Sequence, residues 1–121
     1  MGNEPLAELR WFWVPDETRC QARDGSPAPN RPEEVTAGAR PFGLWPRWWT
    51  VRRGDGSSVE VLEEDILELP ARTQVSLASA VREHQRRIEA LRVVNVIAAN
   101  VKARRLQQLR RLEEMLSGDP G

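Results

Sequence analysis

The spacing of apolar residues changes once along the chain, from short strand-like runs before Pro70 to a helical period after it. The first run spans residues 9–14, where Leu9, Trp11 and Trp13 occupy every second position and Pro15 follows. A short alternating segment that ends at a proline is typical of a β-strand. We therefore predict that a strand begins the N-terminal half of the protein.

The clearest local pattern is a β-hairpin over residues 48–62. Two runs of alternating apolar and polar residues flank a Gly-Asp-Gly turn at positions 54–56. A three-residue loop separates a buried face from a wet face, whereas a two-residue turn would mix apolar and charged residues on one face. The three-residue loop also requires Gly56 to adopt the left-handed conformation. The predicted register pairs Val51 with Val59, Trp49 with Val61 and Thr50 with Glu60.

A longer motif continues from this hairpin to Leu69. It reads W-x-V-x-x-G-D-G-x-x-V-x-V-x-x-x-D-I-x-x-L from Trp49 onward and includes the acidic run Glu63-Glu64-Asp65. Residues 48–69 thereby resemble the closing half of SH3-like small β-barrels, in which a hairpin leads through one helical turn into a short last strand. The resemblance implies a binding or adaptor module, with the first half of the barrel supplied by residues 8–23.

Residues 26–46 contain five prolines and two glycines, which predicts a long irregular loop. With this loop included, residues 1–70 are expected to form a Trp-containing antiparallel β module. Residues 71–117 form a helical segment, and residues 118–121 form a tail. The predicted fold class is therefore α+β, with a small N-terminal β module followed by a long C-terminal helix or helical hairpin.

The helical segment has no Gly or Pro between Gln74 and Leu116, and Thr73 is a candidate N-cap. Steps of four and three residues from Leu77 place apolar side chains on one stripe at both ends of the segment. Such a stripe is typical of a coiled-coil seam and needs a partner surface. The seam residues that we assign to partner binding are Ile88, Leu91, Leu109, Leu112 and Leu116.

The middle of the segment departs from this pattern. Residues 93–101 place apolar side chains in almost every direction around the helix, which predicts burial on all sides. Two arrangements satisfy this. The centre packs between the β module and a neighbouring copy, or the chain bends near Asn95 or Asn100 and forms a helical hairpin.

Charge is distributed unevenly although the chain has 18 basic and 18 acidic residues. Residues 1–70 carry 8 Arg and 13 acidic residues, whereas residues 71–121 carry 10 basic and 5 acidic residues. We expect the basic end to contact the acidic block 60–68 of the same or a neighbouring chain, or else phosphates of a nucleic acid. The candidate anion-binding residues are Lys102, Arg104, Arg105, Arg110 and Arg111.

The five tryptophans fall into two groups. The alternation of the strands predicts that Trp11, Trp13 and Trp49 fill the core of the β module. Trp45 and Trp48 lie beside prolines and an arginine, and they are candidates for an aromatic partner-binding surface because Trp is frequent at interface hot spots.

The inventory of reactive groups does not indicate an enzyme. The chain has one Cys, one His, one Lys and no Tyr, and no phosphate-binding or nucleophile motif is visible. We expect no catalytic residues, no metal, no cofactor and no small-molecule substrate. No signal peptide or membrane span is apparent, so we expect a cytoplasmic or virion-associated protein without membrane contact.

These patterns together predict a non-enzymatic interaction or structural protein. It self-associates, or docks into a larger assembly such as a phage particle, through its long C-terminal helix. The alternative is a nucleic-acid-binding regulator that uses the Arg-rich helix.

Overall fold

The structure is a computed structural model that describes residues 8–15, 22–38 and 47–117. Five strands are followed by two helices, which confirms the α+β class. The strands are β1 (Leu9–Trp13), β2 (Glu33–Ala37), β3 (Trp48–Arg52), β4 (Ser58–Leu62) and β5 (Ile66–Pro70). A single 3₁₀ turn (Glu63–Asp65) joins the last two strands, and the helices are α1 (Gln74–Glu89) and α2 (Val96–Leu116). The strands form one antiparallel sheet in the order β4-β3-β2-β1-β5.

The β3–β4 hairpin has the predicted register. Val51 pairs with Val59, Trp49 with Val61 and Thr50 with Glu60. Gly56 has a φ of 88°, in the left-handed region that glycine adopts without strain. The 3₁₀ turn then leads into β5, which pairs along its whole length with β1. The hairpin, the helical turn and the last strand therefore follow one another along the chain in the predicted order.

Strand β2 corrects the prediction of an irregular loop over residues 26–46. Glu33–Ala37 pair with β1 on one side and β3 on the other, so this segment joins the two halves of the sheet. Val35 is buried in the core, and the adjacent Pro32 precedes the strand rather than interrupting it. The high proline content concealed a short strand whose burial depends on its neighbours.

The alternation of side chains along the strands creates two apolar cores. One core lies on the face of the sheet that is turned away from the helices, and it includes Trp13, Trp49, Val51 and Ile66. On the opposite face, Phe12 and Val14 of the first strand region pack with Leu67 and Leu69 of β5 against the two helices. The predicted core positions of Trp13 and Trp49 are therefore confirmed, and Trp11 is half-buried against the same core.

The C-terminal segment is a helical hairpin. Helix α1 ends at Glu89, and α2 begins at Val96 and runs back along α1, so that Gln85 lies beside Glu113 and Lys102 beside Glu89. Of the alternatives that the sequence left open, the structure has the bend near Asn95. Neither helix of the described chain is both long and apolar enough to span a lipid bilayer.

Candidate functional site

The candidate functional site is the end of the helical hairpin, where apolar side chains are exposed. Eight large apolar residues are exposed in the described part of the chain, and six of them lie between positions 91 and 101. Their exposed fractions range from 42% to 88%. Exposed apolar clusters are frequent at interaction surfaces, whereas scattered single apolar residues are normal on any protein surface. We call this cluster the apolar tip; its members are Leu91, Val93, Val94, Val96, Ile97 and Val101.

Polar contacts at the end of α1 and the start of α2 fix the segment that carries the apolar tip. The Asn95 side chain caps α2 by accepting a hydrogen bond from the Ala98 amide at 2.8 Å. Lys102 Nζ donates to the carbonyl oxygens of Glu89 and Leu91 at 3.0 and 2.9 Å, which caps the C-terminal end of α1. These contacts hold the connection between the helices in one shape and leave its apolar side chains pointing into solvent.

The charged residues beside the apolar tip are of both signs. Glu89, the last residue of α1, and Arg92 are both exposed. No acidic residue occurs between positions 90 and 112.

The exposure of the tip corrects the prediction that residues 93–101 are buried on all sides. The apolar residues surround the helix start in every direction, but the apolar core that α2 shares with the sheet and α1 includes α2 residues only from Leu106 onward. A helix that turns back at Asn95 carries its first turn beyond the surface on which it packs. The signal in the sequence was the apolar run next to a helix-capping Asn.

The predicted seam residues lie mostly inside the chain. Leu109 and Leu112 are fully buried, and Ile88 is 8% exposed, all within the core between the helices and the sheet. Leu116 is half-buried against the same core, and only Leu91 belongs to the apolar tip. The 4-3 spacing thus reflects packing within one chain, because the second helix and the sheet provide the covering surface that the sequence assigned to a partner.

The basic residues of α2 contact the acidic turn of the same chain. Arg104 forms ion pairs with Asp65, which is buried, and with Glu64 at 3.3 Å. Arg105 donates to the Ile66 carbonyl oxygen at 3.1 Å. The expected contact between the basic end and the acidic block therefore occurs within one molecule.

Two further candidates for anion binding differ in their surroundings. Arg111 donates to the carbonyl oxygens of Pro15 and Asn30 at 2.6 and 3.1 Å, so it holds the chain beside β1. Arg110 is exposed on the outer side of α2. Lys102 of α2 binds the carbonyl oxygens at the end of α1, so four of the five predicted residues make contacts within the chain.

Gln108 is a buried polar residue that the sequence analysis did not single out. Its amide nitrogen donates to the carbonyl oxygens of Val14 and Glu64, both at 3.0 Å, and its oxygen accepts a hydrogen bond from Arg105. It thereby connects α2 to the end of β1 and to the 3₁₀ turn. Gln107 and Gln108 are adjacent in an Arg-rich helix, and no sequence pattern indicates that only Gln108 is buried.

Of the two residues of the predicted aromatic surface, only Trp48 lies within the described residues. Trp48 is half-buried, and the Arg23 guanidinium lies 5.1 Å from the centre of its ring. Trp45 lies outside the described residues. The role of both residues in partner binding stays a prediction.

A polar cleft of about 290 Å³ lies between β5 and the helices, lined in part by His84, Arg105, Glu63 and Glu68. Burial lowers the pKa of His84 below its ordinary value of 6.5, and the guanidiniums of Arg105 and Arg87 lower it further. Among the described residues, no group of three or more His, Cys, Asp or Glu side chains is arranged to hold a metal ion.

Comparisons with known proteins found no relative of the chain. No protein-family model matches the chain, and no significant match was found to a curated protein or to a solved structure.

Proposed function

We propose that this chain is a non-enzymatic assembly protein that binds other copies of itself through the apolar tip. The observation that supports this proposal is the clustering of six exposed apolar residues at one end of the helical hairpin. Burying these side chains against a second protein surface would release a large apolar area from water, which is the main driving force of association. By analogy, a small subunit of this kind suits a phage or other multi-subunit particle, inside the cell or in a virion.

The nucleic-acid alternative has less support. Binding to DNA or RNA requires several cations that are free to contact phosphates. Arg104, Arg105 and Arg111 make contacts within the fold. The exposed cations are spread over both helices and the tip instead of forming one patch on α2; they include Arg82, Arg86, Arg92 and Arg110.

The proposal is tested with two valine variants that differ only in their location. Val96 and Val75 are 74% and 77% exposed, and each lies in the first turn of a helix, where an aspartate is compatible with the helix dipole. We expect parent protein and Val75→Asp to self-associate in analytical ultracentrifugation. Val96→Asp should weaken association by about tenfold or more, because it places an unpaired charge in the apolar contact.

Other outcomes of this experiment count against the proposal. A parent protein that stays monomeric at all concentrations contradicts it, and so does equal association of both variants. The same samples are tested for binding to DNA and RNA duplexes. Tight, salt-sensitive binding that is lost in Arg92→Gln/Arg110→Gln would favour the regulator instead.

A further inference from the structure

An apolar surface is covered best by another apolar surface, and within the described residues the one exposed apolar cluster is the tip itself. Of the eight exposed large apolar residues in the described chain, only Leu9 and Val75 lie outside the tip, one on β1 and one at the start of α1. Two scattered residues cannot cover six, whereas a second tip presents an equal apolar area. The surface of a second copy that matches the tip best is therefore its own tip.

The size of the tip suits a contact between two copies. Its six residues are 42% to 88% exposed, which corresponds to roughly 600–700 Å² of accessible surface on one copy. Two facing tips would thus remove up to about 1,200–1,400 Å² from water, whereas specific protein–protein contacts bury about 1,200–2,000 Å² in total. This area lies at the lower end of that range, so the polar residues around the tip contribute to whether the contact is stable.

The charged side chains beside the tip are complementary to a second copy of themselves. Glu89 and Arg92 are both exposed and have opposite signs. Within the described chain, neither side chain takes part in an ion pair or a hydrogen bond. In a two-fold contact, a Glu89 that meets Arg92 of the other copy is accompanied by the reverse pair. The two signs therefore attract across such an interface, whereas a rim of one sign would repel its copy.

Building on the self-association proposed above, we infer that the apolar tip docks onto the apolar tip of a second copy in a two-fold contact, with Glu89 of each copy beside Arg92 of the other. The contact is isologous, since the same surface of both copies meets, and it closes at two subunits. The apolar core that α2 shares with the sheet includes α2 residues only from Leu106 onward, so the sheets lie on the far sides of the contact. Such a dimer presents the β module twice.

The experiment reverses one charge of the rim in each of two variants. Glu89→Arg places an arginine opposite Arg92, and Arg92→Glu places a glutamate opposite Glu89, so each variant alone brings like charges together twice. Each should dimerise about tenfold more weakly than the parent in analytical ultracentrifugation at low salt. An equimolar mixture of the two variants should form a heterodimer with about the affinity of the parent, because every arginine then faces a glutamate.

Matched controls make the same charge changes outside the tip. Glu114→Arg and Arg110→Glu alter exposed residues of α2 and should dimerise as tightly as the parent. All four substituted side chains are exposed, so none of the variants removes a group from the buried core. Thermal melting followed by circular dichroism verifies that each variant is folded.

The two proposals fail in different ways. If Val96→Asp abolishes association but mixing Glu89→Arg with Arg92→Glu does not restore it, the tip mediates association and docks onto a different surface. Association of both rim variants at the affinity of the parent, or equal weakening by the controls, also contradicts the two-fold contact. Species that grow beyond a dimer with concentration contradict it as well. If the parent does not self-associate, the proposed function itself is wrong and the inference is rejected with it.

Discussion

Gln108 shows how a single buried polar side chain connects the helices to the sheet. Its amide nitrogen donates hydrogen bonds to two backbone carbonyl oxygens, those of Val14 and Glu64. Each buried polar group that loses its partner costs about 1–3 kcal/mol. Substitution of Gln108 therefore tests whether these hydrogen bonds hold α2 against the sheet.

We predict that Gln108→Leu lowers the free energy of unfolding by about 2–4 kcal/mol, since two carbonyls lose their donor and the side-chain volume is kept. The matched control is Gln107→Leu, one position away and exposed, for which a change within about 0.5 kcal/mol is expected. Urea denaturation measures both. Equal effects of the two substitutions would show that Gln108 does not hold the helix.

His84 makes the stability of the hairpin depend on pH. Its pKa is lowered in the folded state by burial and by Arg105 and Arg87, so the unfolded chain binds the proton more tightly. The free energy of unfolding therefore rises with pH between the lowered folded-state pKa of His84 and its ordinary value of 6.5. Above pH 6.5 the full stability is present, and it falls as the pH drops below 6.5 toward the folded-state pKa.

We predict that the melting temperature of the parent falls more between about pH 7.5 and pH 5.5 than that of His84→Gln. Glu63 and Glu68, which line the same cleft, are present in both proteins. Parallel melting curves for the two proteins across this range would rule out a contribution from His84.

At the scale of elements, the two asparagines of the apolar segment have different roles. Asn95 is the N-cap of α2, whereas Asn100 is an exposed residue within its first turns. The sequence allowed the chain to bend at either residue, because both are poor helix formers that favour caps. Only Asn95 has the extended backbone of a cap and accepts the Ala98 amide hydrogen bond.

We predict that Asn95→Ala destabilises the protein by about 1 kcal/mol, as expected for the loss of an N-cap. Asn100→Ala should instead stabilise it by about 0.5 kcal/mol, because Ala is the better helix former at an exposed position. Thermal or urea denaturation distinguishes the two signs. Destabilisation by Asn100→Ala and not by Asn95→Ala would show that Asn100, and not Asn95, caps the second helix.

At the scale of the whole molecule, the helices and the sheet form one cooperative unit. Leu112 is fully buried in the core that the helices share with β1 and β5. The same two strands contribute Trp13 and Ile66 to the core on the other side of the sheet. Damage to one core is therefore transmitted to the other through β1 and β5.

We predict that Leu112→Asp unfolds the sheet and the helices together. A buried, unpaired carboxylate costs several kcal/mol, which is a large part of the roughly 5–15 kcal/mol that stabilises a typical domain. Circular dichroism reports the helices, and tryptophan fluorescence reports the sheet. The control Leu112→Met keeps the volume and should cost less than about 1.5 kcal/mol. Retention of native tryptophan fluorescence after helix loss would show two independent units.

The sequence alone determined the features that depend on local spacing. The register of the β3–β4 hairpin followed from parity, since a shift by one residue would put Glu60 on the buried face with Val51. The left-handed Gly56 and the strand at residues 9–13 followed from turn chemistry and alternation. The N-cap at Thr73 followed from helix-capping preferences in the same way.

The tertiary structure decided which surface covers each apolar side chain. The 4-3 stripe that includes Leu109 and Leu112 has the same spacing whether it packs on a partner or on its own sheet, and only the fold placed it inside the chain. Likewise, the apolar run at 93–101 indicates that a covering surface is needed but not that the hairpin carries it away from the sheet. Periodicity describes the face of an element, whereas burial depends on distant parts of the chain, which no local pattern specifies.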